Sequence, residues 1–185
     1  MDFTAGTTWK YQTTNNLTSA ITFNTSTSTN RDSSISGKSY HVFTNSNGTP
    51  NEYYNITGTD YWTFRSLGAA FSNLTLEEIY LKDNVAGTTW SFIINVPISG
   101  GPTTVPVTIT NTIAEKGIGR TVNGVAYTDV IHITTTIAVP GLPPGSVTTD
   151  IQSYYARKSG LIESKNKISA PVLTINVDQT TILVQ

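Results

Sequence analysis

The chain has 185 residues, with 11 basic against 12 acidic side chains, a net charge of −1 and no cysteine. This length suits one domain that folds without disulfides or metal; the missing thiols exclude cysteine nucleophiles and thiolate metal sites, and the balanced charge lacks the basic excess of a nucleic-acid binder. Charged residues make up 12% of the chain, about half the usual quarter, and threonine, serine and asparagine take their place, as is common on secreted and envelope β proteins.

From the start, Met1-Asp2-Phe3 reads as an initiator methionine on a trimmed chain, so the missing targeting segment does not exclude a signal sequence or a lipid-modified cysteine upstream. Trp9 follows Gly6-Thr7-Thr8 at the start of a first strand. Asn24 to Ser36 is so polar that it reads as a mobile loop or an exposed edge. Lys38 to Thr44 is β-branched and aromatic, and Asn47-Gly48 after it is a hairpin signal of the type I′ kind. Leu74 to Leu81 fits one helical turn or a strand with Leu74, Leu76, Glu78 and Tyr80 on one face. Trp90 to Val96 and Val105 to Ile113 alternate as strands, with Gly100-Gly101-Pro102 between them. Asn123-Gly124 is a second hairpin signal ahead of Val130 to Ala138. Pro140 to Gly145 cannot continue a ladder, so it is expected as the wide, most exposed tip between that strand and Val147 to Tyr155. A last strand falls within Val172 to Val184. No run approaches the ~20 apolar residues that cross a bilayer.

Ala5-Gly6-Thr7-Thr8-Trp9 recurs letter for letter as Ala86-Gly87-Thr88-Thr89-Trp90. Gly37 to Val42 is then echoed by Gly124 to Val130, and Tyr53-Tyr54 with Gly58 by Tyr154-Tyr155 with Gly160. The order is kept while the offset grows, as loop insertions would make it. We expect one all-β domain over 1–185, mostly antiparallel, built from two related meander units at 1–81 and 82–168 with a C-terminal strand at 171–185. The units would form a curved half-open barrel or a two-sheet sandwich. Chance similarity in a threonine-rich chain is the alternative to duplication.

Chemistry is sparse. There is no phosphate loop, nucleophile elbow, zinc-protease helix or calcium loop. His41 and His132 both fall in strands, and their spacing supports neither a catalytic pair nor a metal site. Asp60 beside Tyr61-Trp62, and Glu77-Glu78, are the carboxylates to weigh for glycoside hydrolysis. The plainer reading makes Asp60 a turn acid and sends Glu77 and Glu78 to opposite faces of a strand. Arg157, Lys158, Lys165 and Lys167 read as a solvated edge that discourages strand addition. Trp9 and Trp90 read as equivalent core plugs. The aromatic residues are the candidate binding material. Tyr53, Tyr54 and Trp62 lie close together in the first half, and Tyr154 and Tyr155 hold the matching place in the second. Adjacent tyrosines on a strand put one ring inward and one outward, and core packing is the competing explanation for all five.

Tyr154-Tyr155-Ala156-Arg157-Lys158-Ser159-Gly160-Leu161-Ile162-Glu163 resembles a signature near the C-terminus of uncharacterised β-rich envelope lipoproteins of Bacteroidetes-type bacteria. Asn123 to Ile131 and Gly87 to Trp90 also resemble that group, whereas Lys158-Ser159-Gly160 departs from its usual Gly-Val-Gly. The resemblance implies an extracytoplasmic place, periplasmic or at the outer membrane or cell surface. It also implies an N-terminal lipid anchor absent from this chain as the only membrane attachment, and a curved sheet similar to the half-barrels of lipoprotein carriers. It carries no catalytic residue and no cofactor. The function expected is a non-enzymatic envelope binding module for a hydrophobic small molecule, a lipid or a segment of an envelope protein. Tyr53, Tyr54, Trp62, Tyr154 and Tyr155 would line its concavity. A structural or adhesive surface domain, acting through exposed edges and the Pro140 to Gly145 loop, and a glycan-directed hydrolase using Asp60 or Glu78 are the alternatives.

Overall fold

The computed structural model describes residues 2–66, 74–97, 104–143, 145–171 and 175–184. Twelve strands follow one another: β1 Thr8–Asn15, β2 Ile21–Ile35, β3 Lys38–Asn45, β4 Glu52–Thr57, β5 Asp60–Ser66, β6 Thr75–Lys82, β7 Thr89–Pro97, β8 Thr104–Val122, β9 Val125–Ala138, β10 Thr148–Ala156, β11 Gly160–Ala170 and β12 Ile175–Val184. All pairings are antiparallel and belong to one sheet in the order β6-β5-β4-β3-β2-β1-β12-β11-β10-β9-β8-β7. The sheet curls into a nearly closed barrel whose seam lies between β6 and β7. Curling removes most of the exposed edge that a twelve-stranded open sheet would present. The Trp90 indole N–H donates to the Ile79 carbonyl at 2.7 Å, tying the two unpaired edges together.

The repeated segments occupy the same place in two six-strand sets. Gly6 N–H donates to Ser28 O and Ser28 N–H to Thr7 O; Gly87 N–H donates to Ile113 O and Ile113 N–H to Thr88 O. Both glycines take positive φ, 85° and 87°, which no other residue adopts as readily. Two-residue turns at Ser36-Gly37 and Asn123-Gly124 then open β3 and β9, with positive φ at both positions of each. Asn47-Gly48 differs from its sequence signal. Only Gly48 has positive φ, and Asn47 Oδ1 accepts from the Thr49 backbone and hydroxyl, forming an Asx turn in a longer loop.

Asn24 to Ser36, expected as a loop or edge, lies almost wholly inside β2, paired with β1 on one side and β3 on the other. Small polar residues are required there. Ser26 stands opposite Trp9, and Ser28 opposite Phe43; both serines are 1% exposed beneath those rings. The Leu74 to Leu81 stretch, read as a helical turn or a strand, is strand from Thr75 on, within β6. The lysines of β11 guard no edge, because β11 is paired on both sides; Lys165 bonds Asp150 and Lys167 approaches Asp178. In the Pro140 to Gly145 tip, Leu142 folds back with Val147 onto an apolar cluster of Ile94, Val96, Val107 and Val139, while Pro144 lies outside the described residues. Gly100-Gly101-Pro102 also lies outside them.

Candidate functional site

The interior is unevenly filled. Trp9, Phe43 and Leu183 form one packed cluster with Val122, Val130, Tyr154, Ala156 and Ile162, and Tyr11 and Tyr54 lean on it. Between β5–β6 and β7–β12 the strands instead line a cavity of about 480 Å³ that is partly open to solvent, within the range of small-molecule sites. Its aliphatic wall comes from alternate residues: Val107 and Ile109 on β8, Ile133 and Ile137 on β9, Ile151 on β10, Ile168 on β11, Ile175 and Val177 on β12. Leu76 and Ile94 face it across the seam. Branched side chains at every second position are what a strand supplies when one face turns inward.

A polar band interrupts that wall. Strand register sets Asn111 against Thr135, and Asn166 against Gln179. The Thr135 hydroxyl donates to Asn111 Oδ1 at 2.6 Å. On the β5–β6 side, Glu78 is 7% exposed, and its Oε1 accepts from Arg65 Nε at 3.1 Å and Nη2 at 2.8 Å. The Arg65 side chain is half exposed; its partial desolvation alone would lower its pKa, but the Glu78 charge and hydrogen bond outweigh it and hold the guanidinium above its ordinary value. Glu78 and Arg65 are the only charged residues among the described lining of the cavity, and they offset each other.

Tyr155 and Tyr80 form the floor, with centroids 5.6 Å apart. Both also line a second hollow of about 340 Å³ toward Lys116, Arg157 and Lys158, so their rings partition the two spaces. Burial pushes the Tyr155 phenol up to about 12 and those of Tyr80 and Tyr54 well above their usual value. All three rings are therefore neutral at physiological pH.

The five tyrosine and tryptophan candidates separate. Tyr155 meets the cavity. Tyr54 stands one ring behind it, 5.7 Å from Tyr80 and 5.1 Å from Phe43. Tyr53 packs on Phe64 at 5.8 Å. Tyr154 stacks on His132 at 4.3 Å and carries the Arg120 guanidinium 3.4 Å over its ring. Trp62 carries Lys38 Nζ at 3.5 Å, and Lys38 in turn bonds Glu77. Tyr53, Trp62 and Tyr154 thus have other partners and do not line the cavity. Glu77 and Glu78 do diverge, one to Lys38 and Tyr40, the other to Arg65. Asp60 is paired with Lys82 at 2.8 Å, away from the cavity lining. Arg65 and the Asn111–Thr135 pair carried no sequence signal, because their roles depend on strand register and on which sheet face turns inward.

The histidines occupy matching places. His41 stands opposite Asp32 and His132 opposite Glu115, each with Nδ1 2.9 Å from the carboxylate and each beside a β-bulge. In the first half, Ser28 Oγ also lies 2.9 Å from His41 Nε2, so serine, histidine and aspartate stand in the order of a hydrolytic triad. In this fold the serine of the array is out of a substrate's reach. Ser28 is 1% exposed, Phe3 stacks on His41 at 5.1 Å, and the Gly6 and Ser28 N–H groups are already donated within the sheet. Ile113 takes the place of Ser28 in the second half, so the histidine–acid pair serves the bulge without a serine. Among the described residues, no cluster of histidine and carboxylate could hold a metal ion. No family model, curated protein or solved structure matches this chain.

Proposed function

We propose that the protein is a non-enzymatic binding module of the bacterial envelope that holds a hydrophobic or amphipathic small molecule inside its barrel. The observation that carries this reading is the cavity of about 480 Å³, walled by aliphatic side chains and interrupted by a narrow polar band. Such a space excludes water from an apolar tail and offers a few oriented partners to a polar group. The envelope location, the lipid anchor upstream and the likeness to lipoproteins rest on the Tyr154 to Glu163 signature and the hydroxyl-rich surface. Duplication of one six-strand unit is part of the same proposal, supported by the paired Gly-Thr-Thr-Trp segments and their matching backbone bonds.

The hydrolase alternative would need two carboxylates converging on one bond; the described cavity lining supplies one, already bound to arginine. A surface role has one observation in its favour, the exposed Leu17, Ile21 and Phe23 around the β1–β2 hairpin. Native mass spectrometry of freshly purified protein, beside the denatured mass, tests the reading. A discrete added mass that vanishes on denaturation is the expected result. A bare protein that also takes up no amphiphile added in excess would move the function to the outer surface.

A further inference from the structure

We propose that the cavity selects an uncharged, hydrogen-bonding amphiphile, such as a glyceride, long-chain alcohol or primary amide, over a fatty acid, and that Glu78 sets this choice. The inference rests on the cavity being a ligand site, as argued above, and names the class of ligand. The only charges in its described lining are Arg65 and Glu78, and the Arg65 Nε and Nη2 groups both donate to one oxygen, Glu78 Oε1. The charge of the guanidinium is therefore balanced by a carboxylate the protein itself supplies. A fatty-acid carboxylate entering this space would lose part of its water, meet the buried Glu78 charge, and compete with it for one arginine. A hydroxyl or ester head loses far less on entry. Asn111, Thr135, Asn166 and Gln179 offer it neutral donors and acceptors along the wall.

The arrangement makes a sharp prediction about Glu78→Gln. The substitution keeps the shape of the side chain and removes its charge, freeing the Arg65 guanidinium to pair with a carboxylate brought by the ligand. The probes are 1-monodecanoylglycerol and decanoic acid, titrated calorimetrically below their micellar concentrations at neutral pH. Wild-type protein should bind the monoglyceride at least about tenfold more tightly than decanoate. Glu78→Gln should raise decanoate affinity about tenfold or more while changing monoglyceride affinity less than about threefold. The double variant Arg65→Met/Glu78→Met, which removes both charges, should keep the monoglyceride and gain nothing for decanoate. Decanoate binding wild type as tightly as the monoglyceride overturns the proposal and leaves the binding-module reading standing. Neither probe binding wild type overturns both. The wild-type comparison decides the selectivity even if a variant fails to fold, and a folded Glu78→Gln whose decanoate affinity is unchanged overturns the role of Glu78.

Discussion

Around Trp9, Phe43 and Tyr54 the interior is filled by rings, on which residues of β8–β12 also pack, whereas between β5–β6 and the remaining stretches of β7–β12 branched aliphatic chains surround an open space. In the first region Trp9 and Phe43 lie 5.6 Å apart and Phe43 and Tyr54 5.1 Å apart, with Ser26 and Ser28 beneath to make room. In the second, Ile109, Ile137, Ile168 and Val177 cover the same kind of strand surface without reaching across it. The backbone bonds at the two strand-start motifs match, so the ladder does not decide which region is solid and which is hollow. Side-chain length does: rings span the barrel interior, and β-branched chains stop short of its middle.

The largest expected effect breaks the filled side. Phe43 is fully buried, so Phe43→Ala should cost about 3–5 kcal/mol in chemical denaturation. Ile168→Ala, at the cavity wall, should cost only about 1–2 kcal/mol, because one side of that chain already lacks packing partners. Equal losses would mean that the hollow is closed in solution. Next, filling the hollow should separate binding from folding. Ile151→Trp should abolish uptake of monodecanoylglycerol while shifting stability by no more than about 1–3 kcal/mol; retained uptake would place the ligand elsewhere. The smallest effect lies away from the cavity. Hydrogen bonds from Lys38 and then Tyr40 hold the Glu77 carboxyl below its ordinary value. A lowered folded-state value means that its stabilisation is complete above the usual carboxylate range and is lost as pH falls through the folded value. Melting followed from about pH 6 to pH 3 should therefore slope less in Glu77→Gln than in wild type, by about 0.5–1 kcal/mol over the range.

Much of the skeleton was legible. Alternation located most strands, and the Gly-Thr-Thr-Trp repeat marked the start of both six-strand sets because its glycine needs positive φ. The hydroxyl-rich β2 was not legible, since serine and asparagine disfavour strands locally; pairing on both sides overrides that preference. The adjacent tyrosines of β10 meet different surroundings, Tyr155 the cavity and Tyr154 the packed cluster with His132 and Arg120 against its ring, and the letters did not show which partners each would meet. A bulge between Tyr154 and Tyr155 resets the register, and bulges leave little trace in composition. Letter matching set His41 near Thr128 and Asp129, whereas the strand partners relate it to His132; the irregularities of β8 absorb the difference. Glu78 was weighed only as a hydrolase acid and Arg65 stood unremarkable as a letter; the β5–β6 pairing joins them, and the curl of the sheet makes them the charged point of an otherwise neutral wall.

The pairing of β1 with β12 carries a kinetic consequence. Every other neighbouring pair in the sheet is consecutive along the chain, so each six-strand set can zip from its own hairpins. Joining the sets through β1 and β12 closes a loop of almost the whole chain, the slowest kind of contact to make. Linking β12 to β1 and reopening the chain between Lys82 and Thr89 would give strands that read β7 to β12 and then β1 to β6, a pure up-and-down meander with every ladder local. The natural connectivity instead places its covalent link across the one junction that has no ladder. The barrel can therefore part at that junction without breaking a strand pair, while the chain itself limits how far the lips separate.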